Sequence, residues 1–156
     1  MSEAAILRPG ELPVTERGGG ARTVRLVTAE LGSQKLLNGI TRFGPGAAIP
    51  LHSHNCEESV IILEGDAVFE IDGVAHELTQ YDTTWIPPDV PHRFRNTSQT
   101  APLAIFWTYA DIAATRTMAA TGETHSIASE HAQDHHANNR HAGQAPAGEQ
   151  PAEERR

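Results

Sequence analysis

The chain of 156 residues suits a single domain, and its 38% hydrophobic content supports a modest core. A formal net charge of -8 argues against nucleic acid or an anionic membrane as partner, since both need clustered excess Lys and Arg; small molecules or proteins are left. Cys56 is the only cysteine, so no internal disulfide can form; with no basic-then-apolar leader and no apolar run near the ~18 residues of a membrane span, the expected setting is the reducing cytoplasm.

Residues 1–21 read as an N-terminal lead-in, punctuated by Pro9-Gly10, Pro13 and the turning run Arg17-Gly18-Gly19-Gly20. Arg17, Arg22 and Arg25 flank that run, and forked guanidinium groups there can meet an anionic substrate. From residue 22 to 110 the hydrophobic period is that of short strands, with turn residues every ten or so positions. Strands are expected at 23–28, 34–43, 49–54, 59–63, 67–71, 74–78, 83–86, 92–95 and 103–109. Many short antiparallel strands without a long helix point to an all-β fold, a small closed barrel or jelly roll.

The third expected strand ends on His52-Ser53-His54, followed by Asn55-Cys56-Glu57-Glu58. Alternate residues of a strand share a face and lie roughly 6.6 Å apart along the chain, so His52 and His54 can lean towards one ion while Ser53 points away. Imidazole nitrogen suits iron, nickel, copper, zinc and manganese, and a carboxylate oxygen from Glu58 suits the harder of these. Further on, Asp72-Gly73 between alternating strands favours a type I′ turn, pairing Ile71 with Val74, Phe69 with His76 and Ala67 with Leu78. His76 then lies away from the His-Ser-His stretch and reads as structural. Pro87, Pro88 and Pro91 cannot sit in a central ladder; they mark a rigid turn that aims His92, with Phe94 and Asn96 on its side of the strand and Arg93 and Arg95 on the solvated one.

Residues 111–128 read as a strap or short capped helix after the barrel, with Arg116 as a candidate anion contact. Residues 129–156 read as a disordered tail, because from Glu130 onward there is no aromatic residue and no Val, Ile, Leu or Met. That tail holds His131, His135, His136 and His141, a low-complexity extension first and a metal-collecting segment only second.

The motifs together resemble those of a single-domain cupin. Gly46, His52, His54, Glu58 and Gly65 occupy every position of that family's first motif. Pro87, His92 and Asn96 match the second, where Tyr81 and Asp89 replace two glycines; aspartate tolerates the positive φ such a turn asks for. The resemblance covers roughly residues 34–109. It implies a β-barrel of six to ten strands, a divalent metal held by His52, His54, Glu58 and His92, and often a homodimer. Iron, manganese or nickel is favoured over zinc, because four protein ligands complete a tetrahedral zinc site while the others keep open positions. Asn38, Phe94, Trp107, Arg22 and Arg116 are the candidate substrate-pocket residues, with core packing the simpler role for Phe94 and Trp107. Spacing to Gly65 selects Glu58 over Glu57, and Glu58 is a possible proton shuttle.

Two functions follow as expectations. The first is a metal-dependent oxidoreductase of the dioxygenase kind acting on a small oxygenated or carboxylated metabolite. The alternatives are a non-catalytic small-ligand-binding or sensor cupin, or a metal-dependent isomerase, lyase or decarboxylase. No nucleophile elbow, phosphate loop or second carboxylate pair supports a hydrolase or kinase.

Overall fold

The structure, a computed structural model, describes residues 3–131. Its strands are β1 (Thr15–Gly18), β2 (Ala21–Arg25), β3 (Leu37–Phe43), β4 (His52–His54), β5 (Glu58–Glu64) and β6 (Ala67–Ile71), then β7 (Val74–Leu78), β8 (Thr83–Ile86), β9 (His92–Arg95), β10 (Leu103–Tyr109), β11 (Thr115–Met118) and β12 (Thr124–Ser126). They form two six-stranded antiparallel sheets, β1-β2-β3-β10-β5-β8 and β12-β11-β4-β9-β6-β7. The sheets face each other as a jelly-roll barrel, the all-β arrangement expected from the sequence.

Period-two alternation decides what enters the barrel. Along β3, Leu37, Gly39, Thr41 and Phe43 point in, and along β5, Glu58, Val60 and Ile62 do so. Phe43, Ile62, Phe69 and Leu103 are fully buried, each worth roughly 1.5–3 kcal/mol of transfer free energy against an exposed reference. Phe69 and Phe94 stack at 4.1 Å between ring centroids. The interior also carries polar groups, and one set forms a chain: the Trp107 indole N–H donates to Thr41 Oγ1 at 2.9 Å, and Thr41 meets Thr23 Oγ1 at 2.8 Å.

The β6–β7 hairpin has the register expected, Ile71 with Val74, Phe69 with His76 and Ala67 with Leu78. Asp72 and Gly73 both have positive φ, 48° and 81°, as a type I′ turn demands. Positive φ recurs at Tyr81 (72°) and Asp89 (66°), the two places where the family motif has glycine. The backbone shape is thus kept by residues less suited to it. At Asp89 the turn is held by its N–H, which donates to the His54 carbonyl at 2.8 Å.

Beyond the other end of β9, Asn96 ties together the end of β3 and the segment that leads into β10. Its amide nitrogen donates to the carbonyls of Phe43 (3.3 Å), Gly44 (3.1 Å) and Ala101 (2.8 Å), and its Oδ1 accepts from Ser98 N (3.1 Å). An Asn96→Leu substitution strands several buried polar groups at once, so chemical denaturation should show a loss of about 3 kcal/mol with the denaturant slope unchanged.

Three boundaries differ from the sequence reading. The lead-in is not featureless: β1 pairs with β2 across the three-glycine turn. The segment 111–128 is neither helix nor bare strap, because β11 is bonded to β4 on one side and β12 on the other. The expected tail starts too early, since Ala128–His131 is a 3-10 turn in which His131 is buried and the Glu130 side chain is 7% exposed. Lack of apolar residues did not prevent burial there, because ion pairing supplied it. His135, His136 and His141 lie outside the described residues.

Candidate metal centre

Two neighbouring strands deliver the three histidines. His52 and His54 are the inward residues of β4, and β9 sets His92 directly opposite His52. All three are buried, and one ring nitrogen of each lies within 4.8 Å of the others. Centroids of His52 and His92 are 4.6 Å apart, those of His54 and His92 5.1 Å.

Backbone carbonyls fix the tautomers. Nδ1 of His52 faces Pro50 O at 2.7 Å, Nδ1 of His54 faces Thr115 O at 2.9 Å and Nδ1 of His92 faces Val90 O at 2.8 Å. A carbonyl only accepts, so each Nδ1 carries a proton, and in the neutral form of a ring the lone pair is on Nε2. This is the outer-shell arrangement that orients metal-binding imidazoles.

Glu58 points into the same space from β5. Its Oε2 lies 2.8 Å from His92 Nε2 and 3.4 Å from His54 Nε2. Lone pair then faces carboxylate, which is repulsive unless a proton or a cation stands between them. His54 Nε2 is buried without a hydrogen-bond partner among the described residues. An orphaned imidazole nitrogen and a carboxylate turned on a second one are the donor set a divalent cation fits. Burial alone would push the Glu58 carboxyl up, but hydrogen bonds and positive charge from His54 and His92, in the forms that carry a proton on Nε2, outweigh that and hold it well below the usual carboxylate range. His52 is held well below the usual histidine range by burial, then by Arg116 and the other two histidines, which keeps it neutral and able to ligate.

The cavity over these groups has a volume of ≈ 20 Å³. That is room for about one water or one ion, not for a metabolite. Phe94, Trp107, Ile105 and Ile49 form its apolar wall, and Tyr109 closes one side with its ring 4.6 Å from that of His54. Burial first, and Glu58 second, push the Tyr109 phenol well above its ordinary value, so it stays protonated and a donor.

Of the residues expected in the pocket, the structure brings in Phe94, Trp107 and Arg116 and leaves out two. Arg22 is the outward residue of β2, and Asn38 the outward residue of β3, where its Oδ1 accepts from Val27 N at 2.9 Å. Both are corrected by strand alternation: Gly39 and Thr41 hold the inward positions that Asn38 was given. Arg17 is the arginine of the glycine run that does reach the cavity, with Glu130 and His131 from the far end of the chain. The sequence gives no signal for Glu130 and His131 beyond charge in a polar stretch. Glu57 points away, accepting from the exposed Trp85 indole at 3.0 Å. Cys56 stays outside the cluster, and burial raises its thiol, which disfavours the thiolate a ligand or nucleophile needs.

A two-sheet barrel with inward histidines from two neighbouring strands defines a class, the small β-barrels with a candidate metal centre. The Cupin domain family profile matches residues 39–109. Protein SchB of Streptomyces halstedii is 31% identical over 105 residues, 67% of this chain and 76% of SchB. The chain belongs to the cupin family. It is similar to the Polyketide synthase CurC of Streptomyces cyaneus, at 33% identity over 95 residues, 60% of this chain and 61% of CurC. Among solved structures, the polyketide cyclase RemF from Streptomyces resistomycificus shares the fold with a TM-score of 0.64 and 16% identity, over 80% of this chain and 86% of RemF.

Proposed function

We propose that this cupin is a metal-dependent enzyme for a small oxygenated or carboxylated metabolite, with a dioxygenase-type oxidation as its reaction. The carrying observation is the convergence of one ring nitrogen from each of His52, His54 and His92 with the Glu58 carboxylate inside the barrel. His52, His54, Glu58 and His92 would hold the ion, with iron, manganese or nickel preferred and zinc the alternative. A bound ion would supply Lewis-acid polarisation of a carbonyl or enolate and, if redox-active, electron transfer to dioxygen. The chain's own groups do the rest. Arg116 balances negative charge at the cavity mouth, Tyr109 holds a proton beside the histidines, Glu58 accepts or returns one when its contact to the ion loosens, and Phe94 and Trp107 exclude water. The reading includes a cytoplasmic setting and a homodimer, which sedimentation of the purified protein tests.

A second reading is non-oxidative chemistry on the same centre, a lyase, isomerase or decarboxylase type of reaction. The pairing of a protonated Tyr109 with an ionised Glu58 around one metal favours it, since proton transfers alone can then serve an enolisable substrate. CurC, a polyketide synthase, adds that oxygen-rich carbon chains are a sensible substrate class to try. Protein loaded separately with iron, manganese and nickel should consume oxygen with at least one member of a panel of diketones, hydroxy acids and phenolics. Substrate loss under argon, with no oxygen uptake for any ion, would replace the first reading by the second.

A further inference from the structure

One carboxylate, Glu130, sits with Arg17, Ile49 and Arg116 in the wall between the candidate metal centre and an outer cavity. Glu130 Oε1 accepts from Arg116 Nε at 2.6 Å and lies 2.8 Å from His125 Nε2, while Oε2 meets Arg17 Nη2 at 2.6 Å. These groups come from four places in the chain: β1, β11, β12 and the 3-10 turn Ala128–His131. The Glu130 and Arg116 side chains are 7% and 6% exposed. Two guanidinium groups thus surround one carboxylate in a largely desolvated place, with Glu58 as the second carboxylate acting on Arg116. Arg116 Nη1 is buried without a hydrogen-bond partner among the described residues, so the guanidinium is not used up by Glu130.

The position of this cluster matters as much as its charge. Arg17, Ile49, Arg116 and Glu130 line the ≈ 20 Å³ cavity over His52, Glu58 and His92. The same four residues line a second cavity of ≈ 480 Å³ on the outer side, completed by the glycine run, Pro50, Met118 and His125. The outer cavity has room for a small metabolite, and the inner one has not. Glu130 is carried on a turn of four residues, reached through Ile127 N–H to Ala114 O at 2.9 Å.

We propose that Arg17, Arg116 and His125 form a carboxylate-binding site above the metal centre, and that Glu130 is its built-in occupant, displaced when a carboxylate ligand enters from the outer cavity. Displacement joins the two cavities and gives the ligand's far end access to the histidine cluster. The tethered glutamate competes with every incoming anion, so apparent affinity is lowered by the fraction of time the site is free. The assignment rests on the metal reading only for what lies beneath the site, not for the arginine contacts themselves.

Malonate is a suitable probe, since one carboxylate can meet the arginines and the other can face inward. Calorimetric titration of the full-length, metal-loaded protein should show Glu130→Gln binding malonate about tenfold tighter than the native chain, the factor for a site free about a tenth of the time. Combining Arg17→Ala with Glu130→Gln should remove that gain. The same titrations on chelator-treated protein separate the two readings: a gain that survives chelation belongs to the arginines, and one that needs the ion places malonate on the metal and overturns the carboxylate site. Equal affinities of the native and Glu130→Gln chains, or a gain that persists without Arg17, also overturn it. If Glu130→Gln does not fold, hydrogen exchange on the native chain decides. Amides of residues 126–131 should exchange faster in malonate than in sodium chloride of equal ionic strength, and unchanged exchange in saturating malonate is incompatible with displacement.

Discussion

Replacing His92 by alanine should strip the protein of its metal. His92 is 1% exposed, sits opposite His52 across the β4–β9 pair, and has Nδ1 pinned by Val90 O, so its Nε2 is aimed with little freedom. Without it the cluster keeps two imidazoles and a carboxylate that has lost its closer histidine. Metal content after dialysis should fall from about one ion per chain to below about a tenth of that. Added metal should raise the melting temperature of the native chain and not of the variant, because only binding to the folded state is stabilising. Equal metal content in both proteins would remove the centre from consideration.

The second large effect concerns stability. Gly65 has a φ of 80°, and a Cβ placed there would overlap the carbonyl oxygen of Pro102 and lie 3.3 Å from Leu103 Cα. Both obstacles are backbone at the start of β10, where Leu103 is fully buried, so neither can move without dragging the strand. An L side chain in the left-handed region costs about 1–2 kcal/mol before any overlap. Gly65→Ala should therefore lose at least about 3 kcal/mol, a fall in melting temperature on the order of 10 °C. Gly73→Ala is the control: its φ is 81°, yet nothing lies within 4 Å of the added atom. It should lose only about 1 kcal/mol. Similar losses at both sites would mean that conformation alone, and not the close approach to Pro102, accounts for Gly65.

Most of the barrel was legible because its strands are short, alternating and bounded by Gly, Pro and Asp. The strands at 67–71, 74–78, 83–86, 92–95 and 103–109 have the expected limits. The histidine cluster was legible for a local reason too: His52 and His54 are two apart on one strand, and the proline turn fixes where His92 can go. What escaped was non-local. Thr15–Gly18 and Thr115–Met118 lack strong patterning and become strands by lying beside β2 and β4. Glu130 lies in a polar stretch whose burial depends on Arg17, 113 positions earlier by their numbering, which no window along the sequence can contain. Asn38 and Arg22 were misplaced because polar residue type suggested a pocket while strand phase put them outside.

The pairing of β11 with β4 sets Arg116 beside His54 and Met118 beside His52. The histidines and Glu58 come from residues 52–92, inside the segment that matches the family, whereas Arg17, Arg116, His125 and Glu130 all lie outside 39–109. The candidate metal centre and the proposed carboxylate site are therefore carried by different parts of the chain. A grafting experiment could exchange residues 110–131 with those of another cupin and retune which molecules are admitted, while His52, His54 and His92 stay on their own strands.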